Sequence, residues 1–85
     1  MSKNKNKPKL YFKPMFFLLD KNPNELRSIA VEKIVDDVYH GYSLKEWNTG
    51  WSINPFKIGK GYITNSKSFD FTENFDEAIQ HASIK

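Results

Sequence analysis

Apolar residues recur at helical spacing through "NPNELRSIAVEKIVDDVYHG". Leu26, Ala30, Ile34 and Val38 follow at i+4, and Ile29, Val31 and Val35 widen the stripe. That period predicts an amphipathic helix over about residues 23–40. Its ends carry matching chemistry. Asn22 suits an N-cap, Pro23 the first helical position, and Glu25 the third residue of a capping box. Gly41 stands where a left-handed C-cap belongs, with His40 in the last turn. A shorter stripe of Phe75, Ala78, Ile79 and Ala82, opened by Asn74 and Glu77 as a second capping box, predicts a helix over 74–83.

Other segments read with period two. "LYFKPMFFLLD" predicts an extended segment from Leu10 to Leu19, its regular strand at 13–19. The second half is apolar on both faces, as in a covered or central strand. Pro14 cannot donate to a ladder, so it marks a strand start, a bulge or an edge. "SLKEW" carries capping-box residues Ser43 and Glu46 and predicts one helical turn. Trp51/Ile53, Phe56/Ile58, Tyr62 to Thr64 and Phe69/Phe71 are separated by turn chemistry, giving two or three short antiparallel strands. The pattern predicts a single small α+β domain with an antiparallel sheet and two helices packed on one face, in the order β-α-β-β-(β)-α. Leu26, Ile34, Val38, Phe75 and Ile79 are expected in its core, with Trp51, Phe69, Phe71, Ile53 and Ile58.

Length and charge refine this picture. Eighty-five residues make one domain with a thin core, and no cysteine is present to staple it. Thirteen aromatic rings supply large buried area per residue instead. The longest apolar run, Met15 to Leu19, falls far short of a membrane span. The expectation is a cytoplasmic protein with no membrane partner. The net charge of +3 is unevenly placed: residues 1–13 hold five lysines and no acid, while 14–85 hold eight basic and ten acidic residues, a balance of −2. Residues 1–9 read as a disordered Lys/Asn-rich tail on a domain spanning 10–85, because they cannot bury enough to offset ordering.

Candidate chemistry centres on phosphate. Lys3, Lys5, Lys7 and Lys9 suit an arm that contacts nucleic-acid backbone. In "WNTGWSINPFKIGKGYITNSKSF", Lys57, Lys60 and Lys67 accompany Tyr62, expected to point outward if Ile63 points inward. Exposed tyrosine interleaved with lysine is what base stacking and phosphate contact require. The glycines flanking Lys60 would let backbone N–H groups approach a phosphate, although Gly-Lys-Gly is also an ordinary turn. His40 and His81 have no nucleophile context, and a helix C-terminus alone accounts for His40. Asp36-Asp37 and Asp76-Glu77 are adjacent pairs that diverge on a helix, so neither reads as a metal site. Asp70, Glu73, Asp76 and Glu77 form an acidic end, a solvated face or a dock for a basic partner. No catalytic group, cofactor or metal is expected.

The "MSKNKNKPK" opening, the Asn/Lys/Phe/Tyr-rich composition and the 85-residue length resemble the TifA-like ToxN-inhibitory proteins of T4-like phages. The resemblance implies a counter-defence protein in the host-cell cytoplasm that silences a toxin ribonuclease, with RNA in the complex. It assigns no role to any single residue. Two functions therefore stand open: a non-catalytic RNA-binding inhibitor, or an inhibitor or adaptor that binds a host protein directly without nucleic acid. The sequence leaves the oligomeric state undetermined.

Overall fold

The computed structural model describes residues 7–65 and 67–83. Its elements are β1 (Phe16–Asp20), β2 (Arg27–Val35), β3 (Val38–Trp47), β4 (Gly50–Gly59), α1 (Lys60–Asn65), β5 (Phe69–Thr72) and α2 (Phe75–Ala82). The strands make one antiparallel sheet in the order β4-β3-β2-β1-β5. Four strands follow as a meander. The chain then passes through α1 from the β4 edge to the opposite edge, where β5 pairs with β1. The α+β class, the antiparallel sheet, the leading strand and the closing helix match the pattern.

The long helix does not form. Residues 23–40 hold all of β2, its hairpin turn and the start of β3. The capping residues act, but only over one turn: the Asn22 carbonyl accepts N–H groups of Glu25 and Leu26 at 2.9 and 3.1 Å. Leu26 then takes a positive φ of 39°, which ends the turn. Beyond it, Ser28 and Ala30 face one side of the sheet and Ile29 and Val31 the other, and all four are buried. A strand covered on both faces is apolar without alternation, and so imitates the broad stripe of a helix. Asp36 and Asp37, with φ of 51° and 61°, close a two-residue hairpin loop. Positive φ at both positions is the type I′ condition, and aspartate tolerates it better than most residues. "SLKEW" likewise lies in β3, and Tyr62–Thr64 belong to α1 instead of a strand.

Each sheet face has its own core. On one, Phe17, Leu19, Ala30 and Leu44 pack with Ala78 and Ile79 of α2, flanked by Leu10, Phe12, Trp51, Ile53 and Phe75. On the other, Leu18, Ile29, Val31 and Tyr39 are covered by Phe16, Phe56, Ile58, Phe69 and Ile63 of α1. The two helices therefore occupy opposite faces, correcting the single-face expectation. Ile79 is buried, and Val38 and Phe75 are half-buried. Leu26 (36% exposed) and Ile34 (39%) lie at a turn and a hairpin end, and Phe71 (59%) on the short edge strand β5. Those three placements depart from the expected core. Pro8 is buried, and Lys7 pairs with Asp76.

α2 is capped as its sequence foretold. Asn74 Oδ1 accepts the Glu77 N–H at 3.2 Å. The reciprocal half of the box is made differently: the Asn74 N–H goes to Thr72 Oγ1 at 3.0 Å, and that hydroxyl donates to Glu77 at 2.6 Å.

The hairpin has one tight point. A register shift between Val31 and Lys33 inserts Glu32 as a bulge, and Gly41 lies opposite Val31. A Cβ on Gly41 would stand 2.0 Å from the Ala30 carbonyl oxygen. Gly41 is thus required by close backbone approach, not as a helix cap. Gly41→Ala is expected to destabilise the domain by at least about 1–3 kcal/mol in chemical denaturation, the usual range for overpacking. Replacing Asp36-Asp37 by Asn-Gly discriminates sharply between hairpin and helix. It should raise stability by about 1 kcal/mol in a type I′ loop, whereas glycine in a helix interior would lower it by a similar amount.

Candidate nucleic-acid interface

The residues singled out for phosphate contact are spread over the molecule. Lys3 and Lys5 lie outside the described residues. Lys7 is engaged with Asp76, and Lys9 is exposed on the N-terminal segment. Lys60 opens α1, Tyr62 sits on its exposed side with its ring edge-on to Phe69 at 6.4 Å, and Lys67 follows the helix. Lys57 is on β4, paired with His40, on the α2 side of the sheet. The expected grouping of Lys57 with Tyr62 is therefore divided between two faces. Its premise was a strand through Tyr62, and the chain there is helical.

Several other charged groups serve the fold. Asp20 is buried, and its carboxylate accepts Arg27 Nε–H at 3.0 Å and the Asn22 N–H at 3.0 Å. The Arg27 guanidinium also lies 4.7 Å from the centre of the Phe56 ring. The Asp20 carbonyl accepts the Nε2–H of His81 at 2.7 Å, which ties α2 to β1 and fixes that tautomer. Asp70 meets Lys21 at 3.5 Å. Among the described residues, no group of three or more His, Cys, Asp or Glu could hold a metal ion.

A different constellation emerges on the α2 side, beyond the helix. Lys33 of β2, His40 of β3 and Lys57 of β4 are successive cross-strand partners. Adjacent strands lie about 4.8 Å apart, so the three basic side chains span about 10 Å. The bulge creates this row, because two residues of a bulged strand oppose one on its neighbour. Glu32 and Lys33 thus both reach His40, lining a shallow cavity of about 160 Å³ with Tyr42, Pro55 and Lys57. None of Lys33, His40 or Lys57 makes an ion pair among the described residues.

Aromatic rings adjoin the row. Tyr42, two residues from His40 on the same strand, makes a tilted contact with Phe12 at 5.2 Å and meets Tyr11 edge-on at 5.7 Å. Tyr11 is 76% exposed. The Tyr42 hydroxyl beside it holds the phenol above its ordinary pKa, and the charge of Glu32 acts in the same direction. The ring stays neutral, presenting an uncharged surface beside the basic row. Lys33, Tyr11 and Tyr42 carry no signal in the sequence, since their proximity depends on the hairpin and its bulge. Lys57 does.

No family model, curated protein or solved structure matches the chain.

Lys33 and Lys57 flank His40 two strands and about 10 Å apart, so their mutual repulsion is small and screened by salt. The Lys33→Gln/Lys57→Gln double variant should therefore be as stable as the parent or slightly more so in thermal unfolding, with the gain shrinking at high salt. A clear loss of stability would mean the lysines hold the fold and do not form a free surface.

Proposed function

We propose that this chain is a small non-catalytic RNA-binding protein, contacting single-stranded RNA through Lys33, His40 and Lys57 and stacking bases on Tyr11 and Tyr42. The observation that carries this reading is the unpaired basic row beside the exposed Tyr11 ring and its aromatic neighbours. Phosphate contact needs the first and sequence-tolerant base contact the second. Lys60 and Lys67 at the ends of α1, with the exposed Tyr62, offer a secondary contact on the other face. A non-catalytic role is supported by His81, whose ring is committed to the Asp20 carbonyl. The resemblance to TifA-like proteins supplies the setting, in which the RNA is shared with a toxin ribonuclease that the protein silences. One observation favours direct protein contact instead. Phe71 is 59% exposed beside Phe16, at 5.1 Å, on the β5 edge.

Anisotropy titration of a labelled single-stranded RNA over a salt series tests the RNA reading. Lys33→Ala/Lys57→Ala should weaken binding and flatten the logarithmic salt dependence by about 1.4, which is roughly 0.7 for each phosphate no longer neutralised. The weakening should be the same for unrelated sequences. Tyr11→Ala should cost about 1–3 kcal/mol of affinity while leaving the fold intact. A folded double variant with the parent's affinity and slope would remove the row from function. Capture of a toxin ribonuclease that survives nuclease treatment and fails with Phe71→Ala would establish direct protein contact.

A further inference from the structure

A second concavity, separate from the basic row, lies along the N-terminal segment on the α2 side. Its volume is about 600 Å³, within the range of small-molecule sites. Pro8, Leu10, Phe12, Pro14, Phe17 and Phe75 form its apolar lining, while Lys7, Lys9, Lys13 and Glu73 are its charged members. Lys7 is already engaged with Asp76. Lys9 and Lys13 are exposed and make no ion pair among the described residues, so two free ammonium groups face one carboxylate. Apart from Glu73, no side chain of the lining can accept a hydrogen bond, and all of its side-chain donors are ammonium groups.

This chemistry restricts the occupant. A peptide would bring amides that need partners, and burying them unpaired costs free energy. Nor is a strand edge available there, because β1 is paired on both sides, to β2 and to β5. The occupant that fits is apolar throughout its body and anionic at one end. We infer that the groove formed by Leu10, Phe12, Phe17 and Phe75 binds a medium-chain aliphatic carboxylate, its carboxylate held by Lys9 and Lys13. Tyr11 lies between the groove and the basic row. It turns its ring toward Tyr42, whereas Leu10 and Phe12 on either side of it line the groove. The two sites adjoin at Phe12, whose ring also meets Tyr11 and Tyr42, but they share no charged residue, and this one does not rest on the RNA reading.

Decanoate, kept below its micellar concentration, is the probe, with decyltrimethylammonium as a control of equal chain length and opposite charge. Side-chain and amide resonances of the full chain are followed by NMR. Decanoate should saturate at one equivalent, with shifts centred on Leu10, Phe12 and Phe75, and the cationic control should bind at least about tenfold more weakly. Lys9→Gln/Lys13→Gln, at exposed positions, should keep the spectrum dispersed and reduce decanoate affinity about fivefold, as two exposed charge pairings warrant. Lys33→Ala/Lys57→Ala should leave decanoate binding unchanged. Equal binding of the two amphiphiles would overturn the assignment. So would shifts scattered over the surface, unchanged affinity in Lys9→Gln/Lys13→Gln, or no saturable binding.

Discussion

The close approach of Gly41 to the Ala30 carbonyl is the constraint on which the architecture turns. With a Cβ 2.0 Å from that oxygen excluded, only glycine lets β3 run against β2 at this point. The missing side chain also makes room on the α1 face, where the cross-strand partner of Gly41 on β4 is Phe56. Phe56 covers the second core and carries the Arg27 guanidinium over its ring. The Glu32 bulge adjoins the same spot and changes which residues face which side. Val31 points toward α1, and Ile34, three residues on, pairs with Tyr39, which packs in that same α1-side core. Without the extra residue, Ile34 would point toward α2 and Lys33 toward α1, because strand side chains alternate strictly. One glycine and one inserted residue thus determine both the second core and the composition of the basic row.

A sheet with cores on both faces of an 85-residue chain leaves each core thin, so polar ties between layers carry unusual weight. Asp20 is the main junction. Its carboxylate joins β1 to Arg27 at the start of β2 and orders the Asn22 turn, and its carbonyl holds His81 of α2. A buried carboxylate is tolerable only because each contact is hydrogen-bonded and one partner is a cation. Thr72 performs a similar service at the other end of α2 by linking the β5 terminus to the Asn74 cap. Both helices are short, and neither has the length to be stable alone, so docking and capping must hold them.

These features explain what could be read along the chain. α2 was legible because its cap, its stripe and its length all agreed, and the apolar pairs of β4 and β5 were legible because residues at spacing two share a face. Asn54-Pro55, expected as a turn, nonetheless lies inside β4 between a pair on the α2 side and a pair on the α1 side. The β2–β3 hairpin was not. Its β-branched residues, Ile29, Val31, Ile34, Val35 and Val38, favour strands, but burial on two sides erased the alternation that identifies one. The turn lacked glycine, the usual mark of a type I′ loop, and used two aspartates. Asn22, Pro23 and Glu25 did start a helical turn, so the local signal was sound. What ended it, the left-handed Leu26, has no signature in residue type. The candidate site suffered the same fate. Lys57 could be singled out by its exposure, but Lys33, His40, Tyr11 and Tyr42 come together only through strand register.

Charge acquires meaning only after pairing is counted. Residues 14–85 carry a negative balance, which taken alone argues against a polyanion partner. Yet Asp20, Glu25, Asp70 and Asp76 are joined to Arg27, Lys21 and Lys7, and their fields are largely cancelled locally. Asp36 and Asp37 are spent on the hairpin loop, where their conformation matters more than their charge. The basic groups left without partners are then the ones that set the surface potential at close range. Beyond about 10 Å, salt screens the rest. Lys33, His40 and Lys57 are such groups, held on adjacent strands about 5 Å from one to the next. The sheet fixes their backbone positions before any ligand arrives, so side-chain ordering is the entropy that remains to oppose binding. The net charge of a small domain is therefore a poor guide to its partner, and the few charges its fold leaves unneutralised are a better one.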